Sequence, residues 1–104
     1  MSDDKNFKRI KEVVESILPG SRIILFGSRI RGDFNIQSDY DILVVVSSNL
    51  TIKEKRNYAI EIINKLAGLD ILTDVIVKTE ADVIYYKDKI GSITREAILE
   101  GITI

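Results

Sequence analysis

The sequence predicts an α/β fold, a small sheet of three or four strands flanked by helices, as one domain over residues 1–104. Three short apolar runs carry most of that reading: RIILF at Arg22–Phe26, YDILVVV at Tyr40–Val46 and LTDVIV at Leu72–Val77. They are β-branched and of strand length. Between and around them lie longer stretches whose apolar residues recur at helical spacing. With 45% hydrophobic and 30% charged residues, one Pro and six Gly, the composition is that of an ordinary globular domain.

The elements follow in order. Phe7, Ile10, Val14 and Ile17 form one stripe of a helix over residues 4–18, and Pro19-Gly20 stops it. Arg22–Phe26 is a buried strand that ends at Gly27, and Ser28 opens a short helix. Tyr40–Val46 is almost uninterruptedly apolar, as expected of a central strand covered on both faces. Thr51 and Glu54 have capping-box spacing. Ile52, Ala59, Ile62, Ile63 and Leu66 then line one helix face, and Gly68 ends it. Leu72–Val77 is a third strand. Thr79 caps a helix through Lys89, Ser92 caps another to about Glu100, Gly101 stops it, and Ile102–Ile104 is a short tail.

Missing residue types narrow the chemistry. There is no His and no Cys, so Ser-His-Asp catalysis, His-metal sites, thiol nucleophiles and zinc ribbons are excluded within this chain. Catalysis here must use carboxylates, hydroxyls, Lys, Arg or backbone amides. Fifteen basic and sixteen acidic residues give a net charge of −1, without the basic excess of a nucleic-acid binder. No apolar run approaches the roughly 18 residues of a membrane span, and the N-terminus lacks a signal peptide's basic start. The expectation is a cytoplasmic protein with no membrane and no direct nucleic-acid partner.

Three places hold polar groups that a core would not choose. Phe26-Gly27-Ser28-Arg29-Ile30-Arg31-Gly32 turns from a strand into a Ser-led helix, presenting backbone N–H groups and a hydroxyl suited to a phosphate. Taken alone, its plainer reading is a Ser-capped turn with two solvated arginines. Asp39 and Asp41 alternate on a strand and project to one face. Side-by-side carboxylates repel unless a cation sits between them, which suits Mg²⁺. The plainer reading is a turn-ending Asp39 and a capping or paired Asp41. Asp74 interrupts the third strand, and a neighbouring strand about 4.8 Å away would bring it to the same gap. A lone Asp on an exposed strand face is the alternative.

Together the three form a pattern. Gly27-Ser28, ten intervening residues, Asp39-Tyr40-Asp41 and then Asp74 on the next strand resemble the signature of the DNA polymerase β-like nucleotidyltransferases. The fuller string from Phe26 to Val44 looks most like the minimal nucleotidyltransferase (MNT) branch, small catalytic domains often paired with helical HEPN proteins, some as antitoxins. The resemblance covers about Arg22 to Val77 and, more loosely, Thr94–Gly101. It implies a mixed sheet of palm-like topology. It also implies that Asp39 and Asp41 hold two Mg²⁺ ions, with Mn²⁺ able to substitute, and that Asp74 joins them and takes the acceptor's proton. Gly27 and Ser28 would hold the β- and γ-phosphates of ATP or another nucleoside triphosphate. One or both of Arg29 and Arg31 would neutralise its charge; two apart in a helix, they point to different sides.

At this size and charge the chain is expected to lack the extra domains and basic surfaces with which polymerases grip long nucleic acid. The resemblance suggests AMP transfer to a HEPN partner, with the chain as antitoxin. Two alternatives stand beside it: a module that neutralises its partner by contact alone, and a small-molecule nucleotidyltransferase working with a separate helical subunit. Tyr40 faces away from the two Asp residues and reads as packing. Tyr85-Tyr86 reads as half core and half surface, and Lys53, Lys55 and Arg56 as a solvated helix face. Phe34 and Ile36, between the motif halves, read as a flap, a partner contact or a folded-back plug.

Overall fold

The computed structural model describes residues 2–32 and 39–104. The expectations for Phe34 and Ile36 therefore lie outside the described residues. In chain order the elements are α1 (Ser2–Ile17), β1 (Arg22–Phe26), α2 (Ser28–Arg31), β2 (Tyr40–Val46), α3 (Ile52–Ala67), β3 (Thr73–Thr79), α4 (Glu80–Tyr86), α5 (Ile93–Glu100) and β4 (Ile102–Thr103). The sheet is mixed, in the order β3-β2-β1-β4. β1 pairs antiparallel with β2 and with β4, while β2 and β3 run parallel and are joined through α3.

The central pair is sandwiched between two helical layers, which is why β1 and β2 read as unbroken apolar runs. On one face Ile23, Leu25, Ile42, Val44, Val75 and Val77 pack with Ile10 and Val14 of α1 and Ile62 and Leu66 of α3. On the other, Ile24, Phe26, Leu43 and Val45 pack with Val83 of α4 and Ala97 of α5. Period-2 alternation makes the functional consequence plain. Tyr40, Ile42 and Val44 belong to the α1/α3 face, so Asp41 is on the α4/α5 face, and the β3 alternation places Asp74 there too.

Several details differ from the sequence expectations. β3 starts at Thr73 and runs on to Thr79, leaving Leu72 exposed. α4 stops at Tyr86, short of Lys89, because Thr79 and Asp82 fix its start and no apolar stripe continues past Tyr86. Ile52 lies 73% exposed at the first position of α3, on the rim of an open hollow between that helix and β3. The C-terminal tail is a strand, with Ile24 opposite Thr103 and Leu25 opposite Ile102. Gly101 allows this close return: a Cβ there would come 2.5 Å from Ile24 Cγ2 and 2.8 Å from the Leu25 carbonyl. Among the described residues no helix is long and apolar enough to cross a membrane.

Candidate active site

The site forms where β1 ends, beside the beginnings of β2 and β3. Phe26 sits opposite Asp41 in the β1–β2 register, and Asp41 sits opposite Asp74 in the parallel β2–β3 register. Two carboxylates thus stand on adjacent strands on the same face. Asp39 precedes β2 by one residue and is exposed, as is Asp74, whereas Asp41 is half-buried.

Immediately after Phe26 the chain bends at Gly27, with φ 83° and ψ −164°, a conformation open essentially to glycine alone. A Cβ there would overlap the Asp41 carboxylate, so the bend lies directly against it. Ser28 then starts α2, one turn long, closed by the Gly32 N–H on the Ser28 carbonyl. Gly27, Ser28, Arg31 and Asp41 line one side of an open cleft of about 260 Å³, and Ile93, Glu96 and Glu100 of α5 line the other. A hollow of about 330 Å³ beside it shares Glu96 and Glu100 but is not lined by Gly27, Ser28 or Asp41.

The two arginines diverge as their spacing requires. Arg29 stacks its guanidinium 4.3 Å from the centre of the Tyr40 ring, on the face opposite Asp41. Tyr40 itself is buried, edge-on to Phe7 at 6.2 Å, and its hydroxyl accepts a hydrogen bond from Asn6 Nδ2 at 3.0 Å. Packing is its role, as expected. Arg31 remains at the cleft, where its Nη1 donates to Glu100 Oε1 at 3.1 Å.

Electrostatics single out Asp41. Its carboxyl is pushed above the ordinary value by burial first, then by the negative charges of Asp74, Asp39 and Glu96, while Arg31 offsets only part. The donor set is entirely oxygen and negatively charged, which fits a hard divalent cation. It is not a closed cage, because no three carboxylates among the described residues converge tightly enough to hold an ion unaided. Strand register brings Asp41 and Asp74 together, and the charges of Asp74 and Asp39 both act on Asp41.

Sequence reasoning missed the α5 wall. Glu96 and Glu100 enter the cleft because α5 packs on β1 through Ala97 and β4 folds back onto that strand, and a two-residue strand leaves almost no pattern in a sequence. It also missed Lys55, read as solvated: its Nζ meets Asp82 Oδ2 at 2.8 Å, the side chains 17% and 24% exposed, far from the cleft. Tyr85 is exposed and Tyr86 half-buried, ring centres 4.8 Å apart, as expected of a half-covered pair.

Residues 7–100 match the model of the nucleotidyltransferase domain family. A provisionally named protein adenylyltransferase of Methanocaldococcus jannaschii is 43% identical over 51 residues, 47% of this chain and 52% of the relative, so the match spans only about half of that protein. A provisionally named nucleotidyltransferase of Sulfolobus solfataricus superposes with a TM-score of 0.62 at 26% identity, covering 95% of this chain and 76% of that one. The complex of a tri-AMPylated Shewanella oneidensis HEPN toxin with its MNT antitoxin gives 0.59 at 17% identity, covering 96% and 69%, a likeness of fold. A mixed four-stranded sheet with this bend and this carboxylate register, matched across nearly its whole length, places the chain in the nucleotidyltransferase domain family.

Proposed function

We propose that this chain transfers AMP from ATP to a hydroxyl of a HEPN-type protein partner, acting in the cytoplasm as the antitoxin of that pair. The observation that carries the reading is the Asp41–Asp74 register set directly against the Gly27 bend. A triphosphate lying along the cleft would have its β- and γ-phosphates on the backbone amides of Gly27 and Ser28, with Arg31 countering their charge. Asp39, Asp41 and Asp74 would hold divalent cations, and paired Mg²⁺ or Mn²⁺ bound there supplies charge neutralisation for the attacking and leaving oxygens. Asp74, the more exposed of the register pair, would accept the acceptor's proton. As the acceptor oxygen bonds to the α-phosphorus, the bond from that phosphorus to the β-phosphate oxygen breaks, and pyrophosphate leaves. The family membership and the adenylyltransferase relative support the reaction class. The likeness of fold to the antitoxin complex supports the partner.

The test is to incubate the protein with Mg²⁺, ATP labelled on its α-phosphate, and the product of the adjacent gene. Label is expected on that product, and Asp39→Asn with Asp41→Asn is expected to lower transfer by about 10³-fold or more. No transfer to protein would sink the reading. Exposed Ile84, Tyr85, Ile90 and Leu99 on α4, α5 and the turn between them favour the contact-only alternative. There the double variant would still neutralise the partner in vivo.

A further inference from the structure

A long side chain on a one-turn helix has many places to go. α2 has four residues and buries none of them, so it does not by itself fix the Arg31 guanidinium. That group is met instead by Glu100, 69 positions later at the end of α5, with Nη1 to Oε1 at 3.1 Å. The two side chains are 44% and 33% exposed, a pair of the kind that adds little to stability. Glu100 is nonetheless held in place. The next residue, Gly101, lies flush on β1, and Ile102–Thr103 then pair with that strand.

Glu100 and Arg31 line the same cleft as Gly27, Ser28 and Asp41. A carboxylate beside a phosphate site repels the ligand, so its presence there needs a compensating use. We propose that Glu100 is a positioning residue, which aims Arg31 into the cleft so that its guanidinium meets the triphosphate already ordered. The inference rests on the cleft being the nucleotide site. Removing Glu100 then has an unusual sign. Simple electrostatics predicts tighter nucleotide binding when a negative charge is lost, whereas loss of positioning weakens it.

Calorimetric titration of a non-hydrolysable ATP analogue with Mn²⁺ decides the matter in four proteins: wild type, Glu100→Gln, Arg31→Ala and the double variant. Arg31→Ala is expected to weaken binding about tenfold and Glu100→Gln about threefold, with unchanged melting temperatures. Glu100→Asp, which keeps the charge on a shorter stem, should fall between wild type and Gln. In the Arg31→Ala background the Gln substitution should no longer weaken binding, since only repulsion is left to remove. Unchanged or tighter binding by Glu100→Gln with Arg31 present overturns the inference, as does an equal loss in both backgrounds. If Arg31→Ala binds like wild type, Arg31's phosphate role falls with it. If wild type binds no nucleotide, the functional reading itself has failed.

Discussion

The two ends of the parallel β2–β3 pair treat their carboxylates in opposite ways. At the far end, where Val46 lies opposite Thr79, Asp82 caps α4 and is surrounded by partners. It accepts from the Thr79 amide at 2.9 Å and from Lys55 Nζ at 2.8 Å. Burial opposes its ionisation, yet the hydrogen bonds from Lys55 and Thr79 hold its carboxyl below the ordinary value. At the near end Asp41, also partly buried, faces Asp74, Asp39 and Glu96, and its carboxyl is raised. One carboxylate is satisfied within the chain and serves stability. The other is left with excess repulsion, which is useful only if a ligand brings the missing positive charge.

The sharpest way to break this contrast is at the bend that presses on Asp41. Gly27→Ala forces a Cβ into a backbone conformation with φ 83° and against the carboxylate. We expect a loss of about 1–3 kcal/mol in urea unfolding from the backbone strain. Asp41 can escape the new methyl only by turning out of the cleft, so transferase activity should fall further than the stability loss explains. Gly32→Ala is the control. Its φ is also positive, at 85°, but nothing among the described residues lies within 4 Å of the added carbon. That variant should lose only the conformational part and retain nucleotide binding.

The difference between the ends also explains what could be read in advance. The strands Arg22–Phe26 and Tyr40–Val46 are legible to the residue, because burial on both faces leaves room for little but β-branched and apolar side chains. The helix after Thr51 is announced by its own capping box. Asp39, Asp41 and Asp74 stand out because a carboxylate is anomalous in such runs. Lys55 does not stand out, because a lysine on a helix is ordinary until Asp82, 27 residues away, comes to meet it. Glu96 and Glu100 are hidden for the same reason: on α5 they look like solvated charges, and their place in the cleft depends on the β4–β1 return. Local anomalies are visible in sequence, and partnerships made by topology are not.

At the satisfied end, Asp82→Ala removes both the side-chain cap on the Thr79 amide and the Lys55 pair. We expect a loss of about 1–2 kcal/mol at neutral pH. Asp82 has a lowered folded pKa, so its contribution is present above the ordinary carboxylate range and lost as pH falls through the depressed value. The gap between wild type and variant should therefore close in acid. A gap that stays constant down to strongly acidic pH would mean that the pair contributes nothing and only helix geometry was lost.

The smallest effect has the most telling sign. Asp41→Asn abolishes a negative charge that the metal-free protein holds against three others. A carboxyl whose folded pKa is raised binds its proton more tightly in the native state than in the unfolded chain. Stability therefore falls as pH rises from the ordinary carboxylate range through the raised value, and the full cost is present at neutral pH. Removing the charge should recover it. Because Asp41 still borders the open cleft, the gain is discounted to roughly 0.5 kcal/mol, or about 2–4 °C in a domain of this size. Thermal melts without divalent cations should show Asp41→Asn above wild type at neutral pH and level with it in acid. Adding Mn²⁺ with a triphosphate should reverse the order, since only wild type then gains the ligand's stabilisation. A variant less stable than wild type in both conditions would mean that Asp41 is held by partners of its own, like Asp82, and that the near end is built for the fold.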